Sequence, residues 1–375
     1  MTIDKERLIK EFMTLVSIDS PSLLERKIGD YLKHKLEELG FTVTEDDAGS
    51  KLGGNCGNIY GFLEGSTDMS PLLFCVHMDT VEPSGGKQAV LSSDGMIRSM
   101  GNTVLGADDF AGIAALLEAL YTIKENKFTH RPIELLFTVA EEIYCKGAKQ
   151  FDYTNIMSKE AYVLDLSGDV GAAAYQAPSI LSLLIDVKGK ASHAGFAPQE
   201  GIHAVQAAAD AVAKLKLGKI DDITTVNIGL VQGGLATNIV PELCTVSGEI
   251  RSYSHKRAME AAEEVRKQFE RSAEAFGAKI NFEVITNCQA YETPKDHSVV
   301  IRFEEACRTL NIPFSLLRTF GGSDNNVLAE HGITGIVLAC AMNRCHSCEE
   351  YTTVEELVRI AELTRVLMTS EVNAG

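Results

Sequence analysis

Four short apolar runs stand out along the chain, at 71–76 (PLLFCV), 133–140 (IELLFTVA), 161–164 (AYVL) and 335–341 (GIVLACA). They are separated by stretches whose apolar residues recur at helical spacing, such as 111–123 and the segment holding Ile28, Tyr31, Leu32, Leu36 and Leu39, which Gly40 ends. Ser22 and Glu25 read as a capping box at the start of that helix. Continuous apolar strands alternating with helices predict a mostly parallel sheet covered on both faces.

From 178 the pattern changes. SILSLLIDVKG alternates like a half-exposed strand, and a helix follows with Ile202, Val205, Ala209 and Val212 on one side. Strand patterns at 224–231 and 243–252 come next. A charged helix carrying Ala262, Val265, Phe269 and Phe276 and the strand KINFEVI complete the set. This order is that of a ferredoxin-like α+β sandwich. The predicted organisation is an α/β domain built from residues 1–177 and 291–375, with a second domain, 178–290, inserted into it.

Composition adds limits. The 375 residues are 45 % apolar and 23 % charged, which suits a globular protein of more than one core. A net charge of −17, without a long block of one sign, argues against nucleic acid or an anionic membrane as partner. The opening MTIDKERLIKEF lacks the apolar core of a signal peptide, and no later stretch is apolar enough to span a bilayer, so a cytoplasmic location is expected. The nine cysteines are scattered and several lie in apolar strands, which predicts reduced core thiols; Cys345 and Cys348 form a lone CxxC, read as incidental.

The chemistry lies just after the apolar runs. His77 and Asp79 follow the first, Glu141 and Glu142 the second, Asp165 the third, Arg344 and His346 the fourth. Ligands of open α/β sheets bind at the carboxyl ends of the strands, so these residues are expected to converge. Asp108 and Asp109 of GADD join them at the head of the helix 111–123, where carboxylates suit a helix amino terminus. Two histidines and several carboxylates suit zinc or a similar divalent ion, and the donors outnumber what one tetrahedral ion uses. A two-metal site with a bridging carboxylate accounts for the surplus. Singly, each of these residues reads as a solvated loop or cap; the conjunction carries the inference.

The motifs SIDSPS, HMDTVEP, GADDFAGIAALLEA, TVAEEIYCKGAK, VLDLSG, ASHAGFAPQEGIHA, TNIVPELCTVSGEIRS, GGSDNN and CHSCEEYTTVEEL, spread over nearly the whole chain, resemble those of the peptidase T, carnosinase and acetylornithine deacetylase family of co-catalytic zinc exopeptidases and deacylases, most nearly its peptidase T-like branch. The resemblance implies a catalytic domain with an inserted lid. It also implies two divalent ions, zinc first, with cobalt or manganese possible. One ion would be held by His77, Asp108 and Asp165 and the other by Asp108, Glu142 and His346. Asp79 would accept from the His77 ring, and Glu141 would be the general base. His193 of the lid would donate to the oxyanion once the domains close or a partner subunit lends its lid; Asn238, Arg251, Gly322 and Ser323 would line the substrate. For Arg251 a solvated strand charge is the alternative. Two departures from the family pattern bear on specificity: Phe110 stands where a Lys is common, and Ile143-Tyr144-Cys145-Lys146 where a glycine-led stretch is.

The implied activity is exopeptidase action on short peptides, from the amino end, with a homodimer through the lid. A carboxypeptidase or N-acyl-amino-acid deacylase would use the same machinery. A non-catalytic metal-dependent binding protein would be expected to have lost the base or a ligand, and both are present.

Overall fold

The computed structural model describes residues 3–369, so the outermost residues of the predicted catalytic domain, 1–2 and 370–375, lie outside the described residues. The described chain forms two compact units. The first runs to Gln176 and includes Glu292–Thr319 and the chain from Ser323 on; the second comprises Ala177–Tyr291 and Phe320–Gly322.

The four apolar runs become four neighbouring strands of one sheet, in the order Ile133–Thr138, Leu72–His77, Glu160–Leu166 and Thr334–Ala339, all parallel. Their residues alternate between two cores. Leu72, Phe74 and Val76 join a large cluster with the helices Lys5–Val16, Arg26–Leu39, Ala107–Asn126 and Val354–Thr369, whereas Leu73 and Cys75 join a smaller one with Leu328 and Ile333. Burial on both faces is why these strands read as unbroken apolar runs. Antiparallel strands extend the sheet on either side: Ile59–Leu63 beside Ile133–Thr138, and Ala172–Ala177 beside Thr334–Ala339. The chain leaves the first unit through Ala172–Ala177 and returns through Tyr291–Glu292, and these two strands are neighbours in the sheet.

Helix Arg26–Leu39 ends at Gly40, whose φ of 99° is open to glycine and strained for other residues. Its start differs from the predicted capping box. Glu25 makes no side-chain cap bond; its Oε1 accepts from Leu23 N–H at 2.8 Å and Ala140 N–H at 3.0 Å, and Ser22 Oγ donates to Asp79 Oδ2 at 2.6 Å. Both side chains turn away from the helix because buried amides and a buried carboxylate compete for them more strongly than solvated helix ends do.

The second unit is an antiparallel sheet in the order Gly218–Lys219, Thr224–Gly233, Leu243–Ser252, Ser179–Lys188 and Lys279–Cys288, with helices Ala204–Lys214 and His255–Phe276. Leaving aside the two-residue edge, strand order 2-3-1-4 is that of the ferredoxin-like sandwich. Leu181, Leu183, Ile185 and Val187 alternate into its core. The first helix buries Ala204, Ala207, Ala208 and Ala211, with Val205 and Val212 at the margin and Ala209 exposed. Its face is thus rotated from the predicted one, since small side chains let the helix approach its neighbours closely.

Candidate metal centre

The shared direction of the four strands puts their carboxyl ends side by side. His77 is the last residue of its strand, Asp165 is the next-to-last of another, and the Glu141–Glu142 and His346 loops follow the other two. Asp108 enters from the head of helix Ala107–Asn126, where Asp108 and Asp109 depart from helical geometry.

Asp108 divides its carboxylate between the histidines: Oδ1 lies 2.9 Å from His77 Nε2 and Oδ2 lies 3.3 Å from His346 Nε2. His346 Nε2 also lies 3.0 Å from Glu142 Oε2, and His77 Nε2 lies 3.9 Å from Asp165 Oδ1. Atoms of His77, Asp108 and Glu142 fall within 4.8 Å of one another, as do those of His77, Glu141 and Asp165. The five predicted ligands and Glu141 therefore come together.

Electrostatics fits this donor set to cations. Burial pushes the carboxyls of Glu141, Asp165 and Glu142 above the usual range, with neighbouring carboxylates adding to the effect in each. Burial opposes charge on His77, yet Asp108 and Asp79 hold its ring well above an ordinary histidine; Asp108 and Glu142 lift His346 to about 10. Glu142 Oε1 is buried and has no hydrogen-bond partner. A pocket of carboxylates with an orphaned oxygen is short of positive charge, and divalent ions with oxygen and imidazole donors suit it.

Main-chain amides set the loops. Asp79 Oδ1 accepts from Glu141 N–H at 2.9 Å and Oδ2 from Glu142 N–H at 3.2 Å. The His77 ring contact differs from the expected one: Nδ1 lies 2.9 Å from the main-chain oxygen of Asp79 and 3.6 Å from its Oδ1. Asp79 thus fixes the tautomer through its carbonyl, because its carboxylate is committed to the glutamate turn. Glu350, whose role nothing in the sequence signals, holds the Asp108 turn through that turn's main-chain amides. Its Oε2 accepts from Leu105 and Gly106 N–H at 2.7 Å each and Oε1 from Asp108 N–H at 3.0 Å. Burial pushes Glu350 up to about 7 against the pull of those amides. Gly106 has φ 79°, and a Cβ there would meet Thr80, Lys87 and Phe110 at 3.2–3.3 Å.

Beneath Glu141, Cys145 Sγ donates to Glu141 Oε1 at 3.3 Å, and Cys145 and Asp324 complete a buried triad with it. Burial pushes Asp324 up; its Oδ2 accepts from Thr138 Oγ1. No sequence signal marked Asp324, since an Asp in GGSDNN reads as a loop residue.

The remaining predicted residues are spread over both units. Ser323, buried in the first unit, caps the short helix Asp324–Glu330. His193, Asn238, Arg251 and Gly322 belong to the second. His193 is exposed; its Nδ1 accepts from Gly195 and Phe196 N–H at 3.1 Å, so in the neutral ring the N–H lies on Nε2, and the ring packs on Phe196 at 4.4 Å between centroids. Asn238 is exposed, and its main-chain oxygen accepts from Ala194 N–H. Arg251 is paired with Glu249 at 2.6 and 3.1 Å and donates to Phe320 O, so its guanidinium is already engaged. Gly322 packs on Ile180 and Cys288, where a Cβ would come within 3.0 Å.

Residues 58–216 match the model of peptidase family M28, and 175–277 match a peptidase dimerisation domain. The chain is 36 % identical over 96 % of its length to the uncharacterized protein YqjE of Bacillus subtilis, of which it covers 97 %. The structure of aminopeptidase PepT from Bacillus cereus superposes with TM-score 0.91 at 37 % identity, 98 % of each chain being covered. That of a tripeptidase from Staphylococcus aureus superposes at 0.95 and 32 %, covering 98 % of this chain and 99 % of that one. With its histidine–carboxylate centre at the strand ends and this similarity along its length, the chain belongs to the peptidase T-like metallopeptidases, which makes it a metal-dependent exopeptidase.

Proposed function

We propose that the protein removes residues from the amino end of short peptides, tripeptides above all, at a centre of two divalent ions, zinc first. The division of the Asp108 carboxylate between His77 and His346 carries this reading. His77, Asp108 and Asp165 would hold one ion; Asp108, Glu142 and His346 would hold the other. Bound there, the ions supply a Lewis acid for the scissile carbonyl and lower the pKa of the attacking water. Glu141 is surplus to that ligand count and takes the proton of the attacking water, then passes it to the leaving amine; burial raises its proton affinity above that of an ordinary carboxylate, which helps it hold the proton between the two transfers. We assign residues 1–177 and 291–375 to this catalytic domain and 178–290 to a lid. His193 Nε2 is the lid atom assigned to the oxyanion, and Asn238, Gly322 and Ser323 to the substrate lining. Arg251, held by Glu249, fits the solvated-charge alternative better than a free carboxylate clamp.

Amino-end specificity rests on the similarity to proteins described as a tripeptidase and an aminopeptidase. Turnover of a tripeptide compared with its N-acetylated and C-amidated forms tests it. Loss on acetylation alone is expected; loss on amidation alone would point to a carboxypeptidase, and preference for the acetylated form to a deacylase.

The proposed partner is a second copy of the chain. The match to a dimerisation domain supports this, as does strand Thr224–Gly233, which beyond Val226 has no strand on its outer edge among the described residues while Leu230 and Val231 are 58 and 49 % exposed. No helix among the described residues is long and apolar enough to cross a membrane; the cytoplasm is the proposed location.

A further inference from the structure

Val139, Ala140, Glu141 and Glu142 form a turn in which four successive amides are each taken by a side chain from another part of the sequence. Val139 N–H donates to Asn58 Oδ1 at 3.1 Å, Ala140 N–H to Glu25 Oε1 at 3.0 Å, and Glu141 and Glu142 N–H to the two oxygens of Asp79 at 2.9 and 3.2 Å. Amides at the end of a parallel strand have lost their ladder partners, and ordinary loops give them to water or to the main chain. Here three buried side chains take their place.

The turn needs such support. Ala140, Tyr144 and Cys145 have φ of 54°, 75° and 52°, a left-handed conformation that costs side-chain-bearing residues energy and persists only where the surroundings impose it. Glu25 is fully buried immediately before helix Arg26–Leu39, so its backbone is anchored, and its Oε1 is shared between Leu23 and Ala140. Ser22 Oγ, three residues earlier, donates to Asp79 Oδ2 and so steadies the second acceptor. Thr80 N–H donates to Ser20 O at 2.9 Å, tying this segment to the one carrying Asp79.

We infer that Glu25, with Ser22 acting through Asp79, is a positioning residue of the reaction: it holds the Ala140–Glu142 turn so that the Glu141 carboxylate faces the reacting centre and Glu142 stays in its ligand position. This inference rests on the roles proposed for Glu141 and Glu142. It gives the SPSLLE segment a function at the strand ends in place of helix capping.

The test compares Glu25→Leu, which fills the space without an acceptor, with Glu25→Gln, which keeps Oε1. Both are assayed at saturating metal with turnover normalised to folded protein. In Glu25→Leu, kcat is expected to fall about 10- to 100-fold, the scale of an ångström-sized misplacement, with KM within about threefold and metal affinity reduced about tenfold or more. Glu25→Gln should recover kcat to within about fivefold of wild type. Wild-type kcat in folded Glu25→Leu, or an equal loss in Glu25→Gln, overturns the inference. Should Glu25→Leu fail to fold, the half-buried Ser22→Ala decides: a roughly three- to tenfold loss of kcat at unchanged KM is expected, and full kcat overturns it. Glu141→Gln run in parallel separates the two readings. Full turnover there removes the base assignment, whereas an inactive Glu141→Gln beside a fully active Glu25→Leu removes this inference alone.

Discussion

Asp108 is the residue on which the centre turns, since each of its oxygens faces a different histidine. Asp108→Asn keeps the shape and removes the charge, so metal analysis is expected to fall from two ions per chain to one or none; two ions retained would show that Asp108 does not bridge. Glu350 acts on Asp108 from behind. Glu350→Ala leaves three buried amides without an acceptor, and a loss of about 2–4 kcal/mol in urea-unfolding stability is expected, together with weaker metal binding. Four of the five proposed ligands, His77, Glu142, Asp165 and His346, are legible because they stand at the ends of apolar runs, and Asp108 because it pairs with Asp109 at the head of an apolar helix. Glu350 and Glu25 are not, because their work is done on main-chain amides, and nothing in a sequence distinguishes a glutamate that meets a backbone from one that meets water; Asp324 is not, because its partners, the Thr138 hydroxyl and the Cys75 thiol, come from strands far away in the sequence. Glu25 even matched a common local pattern, the capping box, and long-range demand overrode it.

At the scale of elements, the strands were readable because burial on both faces leaves no polar alternation, and the helices because 3.6-residue spacing was kept. The buried face of helix Ala204–Lys214 differs from its apolar pattern by part of a turn: alanine contributes little to such a pattern yet defines the closest contact. Helix Arg26–Leu39 is clamped to strand Thr42–Glu45 by Glu45, whose carboxylate meets Arg26 at 2.6 Å and Lys33 at 2.9 Å. Burial works against charge on Glu45, but these cations bring it down to about 2 from an ordinary 4.5. The folded state therefore holds the ionised form more tightly than the unfolded chain does. Its contribution is present above about pH 4.5 and is lost as pH falls towards about 2. Urea unfolding of wild type and Glu45→Gln should differ at pH 6, differ less at pH 4 and less still at pH 3 as the window closes towards about 2; a difference that does not change from pH 6 to pH 3 would show that the pair contributes no charge-dependent stability.

For the whole molecule, the concentration of buried acids at the carboxyl ends of the parallel strands makes metal a structural matter as well as a catalytic one. Dialysis against a chelator should abolish turnover and lower the melting temperature, and returning a divalent ion should restore both, since a ligand at 1,000 times its Kd stabilises by about 4 kcal/mol. Sedimentation of the intact chain at micromolar concentration is expected to give a dimer, and Leu230→Asp to shift it towards monomer. The two-part organisation was visible from the change of apolar periodicity near 178, whereas no sequence pattern announced that the outgoing strand Ala172–Ala177 and the returning Tyr291–Glu292 are neighbours. That adjacency brings the two ends of the inserted segment together, although Phe320–Gly322 also belongs to the second unit and would lose its partners Ile180, Arg251 and Cys288 with it. The two ends are already held together by the host sheet, so closing the host chain with a tight turn in place of 178–290 would add little entropic cost. The shortened protein would keep every proposed ion ligand and Glu141 but lack His193, and its residual rate would measure how much of the chemistry the inserted segment supplies.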